Sequence, residues 1–153
     1  MTGMEQQEAP STNRREGPLW EVLAGRRSPS PSAQLLGAKF LKIDPEHGES
    51  AVEFRGKPEF ANPAGDIQGG MLAAMLDLAM GVSLAGTFLE GERAVTVEMK
   101  VNFIRPAKLD TLVSTGRVIR KGRSLAFLEG DVRDGAGELV ATGSATAQIR
   151  PKQ

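Results

Sequence analysis

The chain has 153 residues with 19 basic and 19 acidic side chains, a length that suits one domain and a net charge of zero. With no such excess of positive charge there is no field to hold nucleic acid or an anionic membrane. It contains no Cys and one His, which excludes a zinc site, a thiol nucleophile and a disulfide framework; a reducing, cytoplasmic setting is the expectation.

Residues 1–34 carry several prolines among Ser, Gln, Glu and Arg, and the reading is a flexible arm with one short helix at Leu19 to Leu23. No apolar core of a signal peptide is visible in it. A first hairpin is predicted from strands at 35–43 and 50–55, joined by DPEHGE, a turn in which His47 is expected to be exposed and inert. The stretch KPEFANPAGDIQGG must then be loop until about Gly69.

Residues 71–89, MLAAMLDLAMGVSLAGTFL, are nearly all apolar and approach the length of a bilayer span. Asp77 in the middle, the many Ala and Gly residues and the missing aromatic belt favour a buried helix running to about Leu89. After it, Val95, Val97, Met99, Val101 and Phe103 alternate with polar residues as a period-two strand. Strands at 110–120, 124–133 and 138–149 follow, separated by short Gly-containing turns. The order predicts an α+β fold: one antiparallel sheet wrapped around one long central helix, closed over by a second chain. Ala141, Gly143, Ala145 and Ala147 allow a close approach to that helix, and Gly116 and Gly130 ease bending of the sheet.

Asp77 is the only charge between Asp66 and Glu90, so it is paired, protonated or used. Gly70, Ala74, Asp77, Gly81 and Ala85 share one helix face, which leaves two readings: a tight packing lane, or a lane taken by a substrate on which Asp77 acts. GDIQGG running into a helix N-terminus offers backbone amides for a developing oxyanion, or simply a tight loop. Seven residues separate Gly70 from Asp77, roughly 10 Å of helix, so one carbonyl cannot be served by both within one chain. If the two act together, the amides come from one chain and the carboxylate from another. GVSLA at 81–85 lies inside the helix without a His partner and is rejected as a serine nucleophile.

NPAGDIQGGMLAAMLDLAMG, VTVEMKVNFIRPAK and GRVIRKGRSLAFLEGDVRDGAGELVATGSATAQI together resemble the hotdog-fold acyl-CoA thioesterases of the PaaI-like type, over about residues 36–150. The resemblance implies a hotdog domain at 35–150 that hydrolyses an acyl-CoA to a free acid and CoA, with no separate cofactor and no metal, in a homodimer assembled into a homotetramer. It places Asp77 on the general base or nucleophile and Gly69 or Gly70 on the amide that polarises the thioester carbonyl. Asn62 falls on a loop residue that holds the attacking water or the carbonyl, and Thr96 on a hydroxyl position of the partner strand. Gln68 stands where the family usually has His and cannot carry a proton at neutral pH. That departure keeps a non-catalytic acyl-CoA binder as the alternative and weighs against a hydratase. Arg120, Lys121, Gly122 and Arg123, with Arg117 beside them, form either a solvated hairpin or a binding patch for the CoA phosphates, and Arg105 and Lys108 at the end of the long strand are weaker candidates for the same task. Met71, Met75 and Met80 line or merely flank an acyl pocket.

Overall fold

The computed structural model describes residues 15–150; the first part of the predicted arm, residues 1–14, lies outside them. Two short helices, α1 (Pro18–Leu23) and α2 (Pro31–Leu36), lead into strands β1 (Lys39–Asp44) and β2 (Glu49–Arg55), the long helix α3 (Gly69–Ala85), and strands β3 (Arg93–Phe103), β4 (Thr111–Lys121), β5 (Leu125–Asp134) and β6 (Leu139–Arg150). All six strands form one antiparallel sheet in the order β1-β2-β4-β5-β6-β3, open at both edges, with α3 against it. This is the α+β architecture expected from the order of elements.

The first predicted strand starts too early. Leu35 and Leu36 close α2, whose Ser30 accepts a hydrogen bond from the Ala33 amide at 3.3 Å and whose Pro31 opens the first turn. Gly37 ends it in the left-handed conformation at φ 67°, and the Ala38 amide reaches back to the Ala33 carbonyl at 2.9 Å. The apolar pair Leu35–Leu36 carries no period of its own, and the Ser-Pro and Gly signals on either side decide for a helix.

Helix α3 also ends earlier than the apolar run, at Ala85 rather than Leu89. Thr87 turns its hydroxyl back to the Leu84 carbonyl at 2.7 Å, and the Glu92 carboxylate accepts from the Leu89 amide at 2.8 Å, so the chain reverses there. At 17 residues α3 is short for a bilayer span, and no helix among the described residues is long and apolar enough to cross a membrane.

The core lies between α3 and the sheet. Leu72, Met75, Leu76, Ala79 and Met80 pack on Val52, Phe54, Leu112, Leu128, Val132 and the small residues Ala141, Ala145 and Ala147 of β6. Met75 and Met80 are fully buried core residues rather than pocket walls, and Met71 is partly buried against that core. Ser50, Gly116, Gly130 and Gly143 pair in register across four strands and make a shallow trough for the helix. A Cβ on Gly116 would meet the Ala79 carbonyl oxygen at 2.4 Å, and one on Gly143 would meet Leu76 at 3.3 Å. The Ser50 hydroxyl donates to that same Ala79 carbonyl at 2.8 Å and pins the helix at the trough.

The sheet covers only one face of α3. Gly70 and Gly81 are exposed, and Ala74, Asp77 and Ala85 are half-buried, so the small-residue lane is the open side of a helix that the sequence suggests is enclosed.

The turn after α3 is fixed by a charge pair. Lys121 binds Glu92 and donates to the Thr87 carbonyl at 3.0 Å, with its ammonium 5.5 Å from the centre of the Phe88 ring. Desolvation pushes the Glu92 carboxyl up, but the hydrogen bonds from Lys121 and from the Leu89 amide outweigh it and hold the group below its ordinary value. A depressed carboxyl pKa stabilises the fold above the unfolded value of 4.5, and the contribution is lost as pH falls through the folded value. Glu92→Gln is therefore expected to melt below the wild type at neutral pH, with the gap closing on acidification; melting curves from about pH 7 to 3 read it.

Candidate active site

Asp77 is not an orphan charge. The Thr96 hydroxyl donates to Asp77 Oδ1 at 2.9 Å, joining the open face of α3 to the edge strand β3. The contact lies within one chain. One expectation is corrected, the uninterrupted alternation of β3. The register of β3 on β6 slips between Thr96 and Glu98, leaving Val97 as an extra residue. Ala94 and Thr96 before the bulge, and Met99 and Val101 after it, consequently all face α3. An unbroken strand would set Thr96 and Met99 on opposite faces. The displaced Val95 and Val97 are 48% and 55% exposed on an edge strand with no neighbour on its outer side.

The loop before α3 is built to present a helix terminus. Asn62 Oδ1 accepts from the Ala64 amide at 2.9 Å and the Asp66 amide at 3.1 Å, so its side-chain oxygen organises the loop and only the amide nitrogen remains to meet a ligand. Lys108 clamps Asp66 at 2.6 Å, and the Ile67 amide donates to the Ala107 carbonyl at 2.8 Å. Gln68 is the exposed N-cap residue; its amide donates to the Phe60 carbonyl at 2.8 Å, and its side chain makes no capping bond. The amides of Gly69 and Gly70 have no acceptor among the described residues, as is usual for first-turn amides, and are open to water or a ligand. Gly70 has open space where a side chain would stand.

Phe103, read from the sequence only as a strand residue, lies over Gly69, where a Cβ would meet the ring at 3.1 Å. Its ring packs beside Gly69 while remaining 55% exposed. The register of β3 across from a helix N-terminus is a long-range fact, and no local pattern announces it.

The cations suggested for CoA phosphates divide. Lys121 is committed to Glu92, Arg105 to Glu138 at 3.0 Å and Lys108 to Asp66, while Arg117 pairs with Glu129. Arg120 and Arg123 are exposed beside the Gly122 turn and make no ion pair with another described residue. His47 sits in its turn as expected, exposed and bonded to Asp44 at 2.9 Å.

A carboxylate bonded through one oxygen on an open lane, and free amides at the start of the same helix, are groups able to activate water and to polarise a carbonyl. The model of the thioesterase superfamily matches residues 64–141, half the chain, and the protein belongs to that family: it is a thioester hydrolase. The chain is 29% identical over 133 residues to acyl-coenzyme A thioesterase 13 of Homo sapiens, covering 86% of this chain and 94% of that one. The structure of a phenylacetic acid degradation-related protein from Ralstonia eutropha JMP134 is 32% identical, with a TM-score of 0.82, covering 85% of this chain and 98% of that one. PaaI from the phenylacetic acid degradation operon of E. coli is 19% identical and shares the hotdog fold, with a TM-score of 0.78 over 88% of this chain and 95% of that one.

Proposed function

We propose that this protein hydrolyses acyl-CoA thioesters, with Asp77 activating the attack and the Gly69 or Gly70 amide holding the carbonyl oxygen across a homodimer interface. The observation that carries the reading is the Thr96–Asp77 hydrogen bond on an otherwise open lane of α3. It holds one carboxylate oxygen and leaves the other without a hydrogen-bond partner among the described residues.

In the proposed reaction, the free oxygen of Asp77 takes a proton from water as the water oxygen attacks the thioester carbon. The carbonyl electron pair collects on oxygen, opposite a helix amide that gains strength with the growing charge. Collapse breaks the carbon–sulfur bond and releases CoA thiolate, which takes the proton held by Asp77. A thiol of ordinary pKa, about 8.5, leaves as its anion without prior protonation, so Gln68 in place of His does not remove a needed acid. Direct attack by Asp77 through an anhydride uses the same groups. Single turnover in isotopically labelled water tests the second route, because label enters Asp77, and unlabelled oxygen the acid, only when water opens an anhydride at the aspartyl carbonyl.

The exposed edge of β3 supports the dimer. Pairing two copies along it buries Val95 and Val97 and brings each Asp77 toward the other chain's α3 terminus, which removes the roughly 10 Å separation along a single helix. Arg120 and Arg123 are the unpaired cations we assign to the CoA phosphates, and a dimer of such dimers completes the proposed assembly.

Thiol release from a panel of aryl and straight-chain acyl-CoAs tests the activity. The protein contributes no thiol of its own, since it has no Cys. Turnover of at least one class is the expected result; saturable binding without turnover across the panel favours an acyl-CoA binder instead.

A further inference from the structure

We infer that the compartment between α1 and the end of α3 receives the hydrocarbon end of the acyl chain, making the substrate a medium-chain or longer aliphatic acyl-CoA. The inference rests on the function proposed above and adds the substrate class. The compartment has a volume of about 500 Å³, with Leu19 and Trp20 of α1 on one wall and Ala85, Phe88 and Leu89 on the other. These walls are mostly apolar and aromatic, the character of a site that takes hydrocarbon, and Glu16, Glu90, Glu92 and Arg93 supply the charged part of the lining.

It is continuous with the chemistry by way of the helix itself. Asp77, Gly81 and Ala85 follow at intervals of four residues, one inclined row on the surface of α3. A Cβ on Gly81 would meet nothing within 4 Å, so the row is open between the carboxylate and the compartment. A glycine inside a helix costs about 0.5–1 kcal/mol relative to alanine, and it clears this path. Eight residues of helix measure roughly 12 Å. An extended chain advances about 1.2 Å per bond, so about ten bonds bring its end from Asp77 to Ala85. A phenyl ring held on one methylene stops near Gly81 and leaves the compartment unused.

Both walls are braced. Lys121 stands 5.5 Å from the Phe88 ring centre, and the Arg15 guanidinium stacks 5.4 Å from the Trp20 ring centre. Both rings thus present an apolar side to the space between them while a cation covers another.

Trp20 is the sole Trp and the chain has no Tyr, so its emission reports on this compartment alone. Asp77→Asn protein, titrated with CoA and with acetyl-, hexanoyl-, decanoyl- and tetradecanoyl-CoA, is expected to change its Trp20 emission only with the last two. In turnover, Ala85→Leu, which narrows the entrance, is expected to move the optimum to shorter chains, lowering kcat/KM for decanoyl-CoA by about tenfold relative to hexanoyl-CoA. Emission that is indifferent to chain length, or that responds equally to CoA alone, overturns the inference, as does an unshifted profile in Ala85→Leu. If the wild type hydrolyses nothing, the proposed function fails, and the emission of the unhydrolysed complexes still decides the compartment.

Discussion

Asp77→Asn is expected to lower thiol release by about a hundredfold or more, the scale of a lost acid–base group, while leaving the fold intact. The substitution keeps the shape of the side chain and retains an oxygen that accepts from Thr96, so the 2.9 Å bond to β3 has a counterpart in the variant. What it removes is the anion that takes the proton in the proposed reaction. Since Asp77 is half-buried on the open lane and outside the core cluster, melting is expected to stay within about 0.5 kcal/mol of the wild type. A second inactive variant then locates the partner group. Gly70→Pro deletes one helix amide at a position where proline is tolerated and where the space is open. Mixing the two variants as exchanging dimers is expected to restore about a quarter of wild-type activity, since half the dimers are mixed and each carries one complete site. No recovery in the mixture, with both variants dimeric, places carboxylate and amide in the same chain and overturns the shared site. Retention of more than about a tenth of the activity by Asp77→Asn alone removes it from the acid–base role.

The helix, the meander and the suspect carboxylate were legible because their signals are local. One charge in a run of apolar residues, a glycine pair at its start and turn glycines between β4, β5 and β6 need no tertiary information. Two kinds of feature were not legible. Leu35 and Leu36 fit a strand or a helix equally well by hydrophobicity, and only the cap residues Ser30 and Gly37 settle it. The bulge at Thr96–Glu98 is invisible in a sequence that alternates without a break through Val101; it exists because β6 sets the register on the other side. That bulge turns the Thr96 hydroxyl toward Asp77, so the most informative contact of the site depends on long-range pairing. The cation cluster divides for a related reason. Lys121 reads as one of several exposed charges on a hairpin, but the chain reversal after α3 delivers Glu92 to it from 29 residues away.

Gly116→Ala is expected to cost about 3 kcal/mol, the upper part of the range for overpacking. The added methyl group would stand 2.4 Å from the Ala79 carbonyl oxygen, 2.6 Å from its carbon and 2.8 Å from Met80 Cα. All three atoms belong to the backbone of α3, so no side chain can rotate away and the helix must lift from the trough. Lifting it loosens Leu76 and Met80 from the core and stretches the 2.8 Å bond from Ser50 to the same carbonyl. The control is Gly135→Ala, in the β5–β6 turn, where the new atom would find only the Thr111 carbonyl at 3.7 Å and the cost is expected within about 0.5 kcal/mol. Urea midpoints of the two variants, compared at equal slopes, give the difference. Its functional consequence follows from the geometry: α3 carries Asp77 and β3 carries Thr96, so a helix displaced at Ala79 shifts the carboxylate against its hydroxyl. Gly116→Ala is thus expected to lose activity among the molecules that remain folded, whereas a midpoint within about 0.5 kcal/mol of wild type shows slack between helix and sheet and removes the trough as the element that sets the site.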